Sequence, residues 1–220
     1  MFHNFLYYFE WFVIVFFILL NGFYLLMMIA AAGGLKEYNR MFSVLKGTRL
    51  PKEMVKPFSL IVPAFNEEKT IIDSAYSFLS LNYLEYEVVM VNDGSTDRTM
   101  QVLTDEFDLY RVDMDLPHRI PCSEITGVYF SKVQPKLVVL DKGNGGKADA
   151  QNAGVNAARY PYVCVADADS LLSNDSMEKI MMKFQSAPET VGVGGIVRIA
   201  NGCTIRKGEI VRVGMPKKML

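Results

Sequence analysis

Cysteine, histidine and tryptophan are scarce in this chain of 220 residues, which contains 3, 2 and 1 of them. Cys122, Cys164 and Cys203 are far apart and form no C-x-x-C pair, so they indicate no disulfide scaffold and suit a reducing compartment. His3 and His118 are isolated, and they indicate neither a zinc site nor a catalytic triad. Because the formal net charge is only -1, there is no general electrostatic case for nucleic-acid binding.

Charge is missing altogether from one stretch, Trp11 to Ala32. A helix over this range is about 33 Å long, enough to cross a hydrocarbon core of about 30 Å. A cleaved signal peptide fits less well, because no lysine or arginine precedes Lys36 and the apolar run is long. A buried core helix of this length and apolarity would also be unusual. We therefore predict a transmembrane helix over 5–33.

Basic residues are concentrated directly after this segment, at Lys36, Arg40, Lys46, Arg49, Lys52 and Lys56. The positive-inside tendency therefore predicts an inner- or plasma-membrane protein with its N-terminus outside and its larger part in the cytoplasm. Residues 34–57 are predicted to form a basic juxtamembrane linker that rests on anionic headgroups or is simply solvated. The lipid bilayer is thus a predicted partner.

Apolar runs alternate with helical patterns after Pro57. Strands are predicted at 58–62, 86–91, 137–140 and 162–166, with a small edge strand at 128–130 and another around 191–199. Helices are predicted at 69–81, 95–107 (capped by Ser95 or Thr96), 148–158 and 174–186, and 108–135 reads as an irregular surface excursion. This alternation predicts an α/β domain over 58–220, with a mainly parallel sheet flanked by helices.

Polar side chains follow the predicted strands, at the edge where ligands of parallel sheets gather. They are Asn66, Glu67, Asp93, Lys147, Asp167 and Asp169. Asp167 and Asp169 are two residues apart, which places them on one side of a strand's exit. Paired carboxylates suit Mg²⁺ or Mn²⁺, which often keep phosphate oxygens as further ligands. With Lys147 on a glycine turn beside them, the sequence predicts a metal-assisted nucleotide-sugar site.

Each motif also has a purely structural interpretation. Asn92-Asp93-Gly94 is typical of a hairpin turn, although a helix follows where a hairpin would need a second strand. The aspartates of the Asp-x-Asp could cap a helix, but Ser173 and Asp175 are better placed for that. Lys142 is predicted to be an exposed turn lysine, in contrast to Lys147.

The glycine turn leaves a rival interpretation open. Gly143-x-Gly145-x-x-Ala148 satisfies a loose dinucleotide-binding pattern, and Asp167 follows at a suitable distance for a ribose contact. An NAD-dependent oxidoreductase that uses this turn is therefore an alternative function. A non-catalytic, membrane-anchored nucleotide-binding module is another.

Five motifs in order resemble those of one family. They are VPAFNEE (62–68), VNDGSTD (91–97), DKGNGGKADAQNAG (141–154), DADS (167–170) and GGIVRIANG (194–202). Together they look like family-2, GT-A-fold glycosyltransferases. The membrane-bound processive branch, with poly-N-acetylglucosamine, hyaluronan and cellulose synthases, is the most similar. The resemblance covers about Phe58 to Gly202.

The resemblance implies an inverting glycosyltransferase that moves a sugar from a UDP-sugar to a growing polysaccharide or lipid-linked acceptor. Glu67 and Asp93 would contact the uridine, and Lys147 would lie near the diphosphate. Asp167 would help hold the ribose or the metal ion, and Asp169 would coordinate Mg²⁺ or Mn²⁺ at the phosphates. The implied donor-binding set is Pro63, Ala64, Asn66, Glu67, Asp93, Lys147 and Asp167.

The later motifs of the family are not found in this sequence. The general base is expected in an acidic motif well after the Asp-x-Asp, yet residues 203–220 offer only Glu209 as a carboxylate. A Gln-x-x-Arg-Trp motif is excluded because the only tryptophan is Trp11. No catalytic base is therefore identified. We expect a donor-binding half that is truncated at its C-terminus. Three explanations stay open: a truncated gene product, a fragment of a longer sequence, or one piece of a split enzyme whose complementary chain supplies the acceptor half.

Overall fold

A computed structural model of the chain describes residues 2–45, 55–185, 189–197, 200 and 203–212. The chain consists of two compact units, Met1–Arg49 and Leu50–Leu220.

The described residues of the first unit form a single helix, α1 (Phe2–Leu45). Within it, Leu6–Gly34 is long and apolar enough to cross a membrane, and it coincides with the predicted span. Its one central polar side chain is satisfied locally, because Asn21 Nδ2 donates to the Phe17 carbonyl at 2.7 Å. Helix α1 continues into the basic stretch as far as Leu45, while residues 46–54 of the predicted linker lie outside the described residues.

The described residues of the second unit form twelve elements, which are in chain order β1 (Phe58–Ala64), α2 (Ile71–Leu79), β2 (Tyr86–Asp93), α3 (Thr99–Phe107), β3 (Leu109–Val112), β4 (Ile125–Ser131), β5 (Leu137–Lys142), α4 (Lys147–Ala157), β6 (Tyr162–Val165), α5 (Ser176–Gln185), β7 (Thr204–Arg206) and β8 (Glu209–Arg212). Six strands form one sheet in the order β3-β4-β5-β2-β1-β6. Strands β5, β2, β1 and β6 are parallel, and β4 is antiparallel to both neighbours. The predicted fold class, a mainly parallel sheet flanked by helices after an apolar helix, is confirmed.

The three central strands, β1, β2 and β5, are buried on both faces, as their nearly continuous apolar sequences require. Because side chains alternate along a strand, Leu60 and Val62 enter a core that also contains residues of α2, α3 and α5. Ile61 enters a second core on the opposite face, against α4. Helix α4 lies close to β1 there, since a Cβ on Gly154 would collide with Ile61 Cγ2. The small residues of α4 therefore hold the glycine turn that precedes it near the strand ends.

A strand does include residues 128–130, but the prediction that it lies at the edge of the sheet is wrong. These residues are part of β4, which pairs with β5 on one side and β3 on the other, so that β3 forms the edge. The sequence pattern did not predict β3, because a four-residue half-exposed strand gives almost no alternation.

Two other predictions differ from the structure. Helix α3 begins at Thr99 instead of Ser95, because 95–98 form a loop that is hydrogen-bonded to the loop after β1. The strand predicted around 191–199 is absent over 191–197, which contain three glycines and no regular hydrogen-bonded pairing. Residues 198–199 and the predicted turn at Asn201-Gly202 lie outside the described residues.

Candidate functional site

A cleft of about 360 Å³ opens at the carboxyl ends of the parallel strands. This is the edge of an α/β sheet where ligands bind, because the loops that leave neighbouring strands diverge there. Seven sequence-predicted residues line it: Pro63, Ala64, Glu67, Asp93, Lys147, Asp167 and Asp169. The remaining lining residues, which the sequence analysis missed, are Phe65, Asn144, Gly146 and Ala168.

The two aspartates of the Asp-x-Asp lie on a turn and not on a strand. Strand β6 ends at Val165, and the Ser170 amide donates to the Asp167 carbonyl at 3.0 Å. The residue between them, Ala168, is buried, and its carbonyl accepts a hydrogen bond from Ser74 Oγ at 2.5 Å. Both carboxylates therefore reach the cleft from a turn whose middle residue packs against the core, and the prediction that they alternate along the end of a strand is wrong.

The charges at this turn are arranged around the cleft. Lys147 Nζ lies 2.5 Å from Asp167 Oδ1, and both side chains are more than half exposed. Asp169 is exposed and makes no ion pair or side-chain hydrogen bond within the described part of the chain. Among the described residues, no group of three or more His, Cys, Asp or Glu side chains is placed so that it could bind a metal ion. Two carboxylates fit Mg²⁺ or Mn²⁺ bound together with phosphate oxygens, which is how Mg²⁺ is commonly held.

Lys142 is buried, so the prediction of an exposed turn lysine is wrong. It ends β5, and its Nζ lies 2.5 Å from Asp93 Oδ1 and 2.6 Å from Asp149 Oδ2. Nζ also donates to the Gly143 carbonyl at 2.6 Å. Burial by itself would lower the pKa of Lys142, but its bonds to the two carboxylates outweigh this and raise it.

Asp93 uses its carboxylate to fix the glycine turn. Oδ1 accepts from the Gly145 amide at 3.0 Å and Oδ2 from the Gly146 amide at 2.8 Å. Asn144 Nδ2 also donates to the Asp93 carbonyl at 2.9 Å. The turn amides that a dinucleotide pyrophosphate would require are thus already bonded to protein, which disfavours the oxidoreductase interpretation.

The contact between Asp93 and Lys142 could have been predicted from the register of strands β2 and β5. Asp93 and Lys142 are direct partners in the parallel β2–β5 pair. Each lies two residues beyond a side chain of the α4-facing core, Val91 in β2 and Leu140 in β5. Extending both predicted strands by two residues would therefore have placed the opposite charges side by side.

Asn66 holds two loops together and does not line the cleft. It has a left-handed φ of 57°, and its Oδ1 accepts from the Thr96 and Asp97 amides at 2.8 and 3.3 Å. Its own amide donates to Ser95 Oγ at 3.0 Å. The next amide, that of Glu67, donates to Thr99 Oγ1 at 2.8 Å. A direct contact of Asn66 with a donor stays a prediction.

One polar face of α4 anchors the segment between β3 and β4. Asp149, Asn152 and Asn156 lie at spacings of three and four residues, so they share a helix face. Their side chains bond to the main chain of Ser123, Pro121 and Ile120, respectively. Part of the predicted surface excursion is therefore tied to the helix that follows the glycine turn.

A model of one protein family, Glycosyl transferase family 2, matches residues 59–118 and 122–215. The chain belongs to this family. Every residue that lines the cleft falls within the matched ranges. The family predicted from the five motifs is thus confirmed for this chain.

Relatives of this family-2 chain include two proteins named poly-beta-1,6-N-acetyl-D-glucosamine synthases. That of Staphylococcus epidermidis is 30% identical over 170 residues, which are 77% of this chain and 34% of the relative. That of Staphylococcus aureus is 26% identical over 165 residues, 74% of this chain and 34% of the relative. The chain thus spans about a third of the length of the curated relatives it matches.

Solved structures with partial similarity include S. aureus TarS 1-349 in complex with UDP-GlcNAc. It is 24% identical with a TM-score of 0.41, covering 56% of this chain and 29% of that chain. The mannosyltransferase PcManGT from Pyrobaculum calidifontis, in complex with GDP-Man and Mn²⁺, is 23% identical with a TM-score of 0.48. That match covers 70% of this chain and 40% of PcManGT.

Proposed function

We propose that this chain binds a UDP-sugar in the cleft and is the donor-binding part of an inverting, metal-assisted glycosyltransferase. The observation that carries the proposal is the convergence of Asp93, Lys147, Asp167 and Asp169 on one cleft at the strand ends. The sugar would pass to a growing polysaccharide or a lipid-linked acceptor. The names of the two staphylococcal relatives support N-acetylglucosamine as the first sugar to test.

The nucleoside would lie against Glu67 and Asp93, beside the apolar end of β1 formed by Pro63 and Ala64. Asp93 Oδ2 accepts one hydrogen bond, from Gly146, and an ionised carboxylate oxygen has capacity for about two. It therefore has room to accept an N–H of the base. Because the Asp93 side chain is almost fully buried, such a bond would be formed away from water.

The diphosphate would lie between Lys147 and the Asp-x-Asp turn. Lys147 would exchange its bond to Asp167 for one to a phosphate oxygen. Asp167 and Asp169 would hold Mg²⁺ or Mn²⁺, whose charge would neutralise the negative charge that builds on the departing UDP. Inversion by direct displacement also requires a general base on the acceptor side, and we assign that role to no residue of this chain.

Helix α1 would anchor the enzyme in the membrane, with the N-terminus outside and the cleft in the cytoplasm. The support is the apolar span Leu6–Gly34 followed by the basic residues from Lys36 onward. Reporter fusions after Leu45 test this orientation. A periplasmic or extracellular reporter active at that position contradicts it.

The donor proposal is tested by isothermal titration of the full chain in detergent with UDP, with and without Mg²⁺ or Mn²⁺. Binding should require the cation, and Asp169→Ala should weaken it by about tenfold or more, as loss of a charged ligand implies. The matched control is Asp175→Ala, because Asp175 is another exposed aspartate, is paired with Lys179 and does not line the cleft.

Cation-independent binding, or normal binding by Asp169→Ala, contradicts the proposal. Binding of NAD in place of UDP favours the oxidoreductase. Sugar transfer by the purified chain excludes a non-catalytic module.

A further inference from the structure

A fully buried ammonium lies directly behind the cleft. The Lys142 side chain has 0% exposure, against 4% for Asp93 and 22% for Asp149. Burying an ion is costly unless all its donors are satisfied, and the three N–H groups of Lys142 have three acceptors. These acceptors are the two carboxylates and the Gly143 carbonyl.

Each carboxylate bonded by Lys142 organises a different element. Asp93, at the end of β2, holds the amides of Gly145 and Gly146. Asp149, in the first turn of α4, accepts the Ser123 amide at 2.9 Å. Lys142 itself does not line the cleft, so it would make no direct contact with a ligand there and is linked to the cleft through these partners.

We propose that Lys142 is a positioning residue of the donor site. It holds the Asp93 carboxylate and the glycine turn so that Asp93 faces the base and Lys147, directly after the turn, faces the diphosphate. This inference rests on the proposed function and extends it to a residue outside the cleft.

The physical reason is charge balance. Asp93 Oδ1 and Asp149 Oδ2 both lie within hydrogen-bond distance of one nitrogen, so the two carboxylates are near neighbours. Without the ammonium they repel each other in a poorly solvated place, and one must move or take up a proton. A displaced or protonated Asp93 carboxylate would accept hydrogen bonds less well from the amides of Gly145 and Gly146 and from a nucleotide base.

A double substitution distinguishes two roles of Lys142, balancing the charge of the two carboxylates and filling space. Lys142→Met keeps an unbranched side chain of similar length but leaves two carboxylates without a cation. Lys142→Met combined with Asp149→Asn restores the original net charge of the cluster, because one positive and one negative charge are removed together. If Lys142 only filled space, Asp149→Asn would not rescue the methionine variant.

The experiment is titration of the full chain in detergent with UDP in the presence of Mg²⁺. Lys142→Met should bind UDP about ten- to a hundredfold more weakly, and the double variant should recover at least about fivefold. Lys132→Met is the matched control, since Lys132 forms an exposed ion pair with Asp108 away from the cleft. Its affinity should equal that of the unmodified chain. Unchanged affinity in Lys142→Met, or a double variant as weak as the single one, overturns the proposal.

Amide hydrogen exchange gives a readout that needs no ligand. The amides of Gly145 and Gly146 should exchange about tenfold faster in Lys142→Met and return toward normal in the double variant. If the unmodified chain does not bind UDP, the donor proposal fails, while this exchange still decides the positioning role. If Lys142→Met does not fold, the double variant decides alone: near-normal protection of both amides supports the role, and loss of protection overturns it.

Discussion

Lys147 and Asp167 neutralise each other in the cleft, and replacing Lys147 by methionine should therefore have opposite effects on the binding of UDP and of the metal ion. The ion pair joins Lys147 Nζ to Asp167 Oδ1 at 2.5 Å, with side chains 61% and 53% exposed. A bound diphosphate would take the lysine, and a bound cation would take the aspartate. The variant should thus weaken UDP binding and strengthen binding of the cation alone.

The magnitudes follow from exposure. An ion pair this exposed contributes about 0–1 kcal/mol, so freeing Asp167 should raise Mn²⁺ affinity by no more than about fivefold. A charged hydrogen bond from Lys147 to phosphate is worth about 1.5–3 kcal/mol, so its loss should weaken UDP binding about tenfold or more. The second effect is larger, and the variant should bind UDP poorly even at saturating Mn²⁺.

The assay is a Mn²⁺ titration by electron paramagnetic resonance on the full chain, followed by UDP titration at saturating Mn²⁺. Lys179→Met is the matched control, because Lys179 and Asp175 form a pair at the same 2.5 Å with similar exposure outside the cleft. It should change neither affinity. Weaker Mn²⁺ binding by Lys147→Met, or undiminished UDP binding, would refute the reasoning.

Two further predictions concern the scaffold. Gly154→Ala should gain about 1 kcal/mol of helix propensity but lose about 1–3 kcal/mol by collision with Ile61, so urea unfolding should show net destabilisation. In an Ile61→Ala background the same change should no longer destabilise, and a stabilising effect in the unmodified background contradicts the close packing. Burial raises the pKa of Tyr86 to about 12, against about 10 when unfolded. The contribution of the neutral phenol to stability is complete below about pH 10 and is lost as the pH rises through 12, by at most about 1.4 kcal/mol per pH unit. The free energy of unfolding of Tyr86→Phe should therefore fall less steeply with pH in this range than that of the unmodified chain. Equal slopes would contradict the raised pKa.

The alternation of apolar strands and helices was sufficient to predict the architecture, because β1, β2 and β5 are buried on both faces and read as continuous apolar runs. It failed for β3 and the loop at 95–98. There the conformation depends on partners distant in the chain, such as Asn66 for the loop, and not on local propensity.

For the site, the sequence determined which residues come together, because parallel strands send their following loops to one edge. The motifs at Asp93, Lys147 and Asp167 therefore had to meet there once the strands were assigned. Only the tertiary structure decided which lysine is exposed and which is buried. That choice depends on strand register, which sets Lys142 beside Asp93 on the α4 side of the sheet, and on the glycine turn, which leaves Lys147 in the cleft.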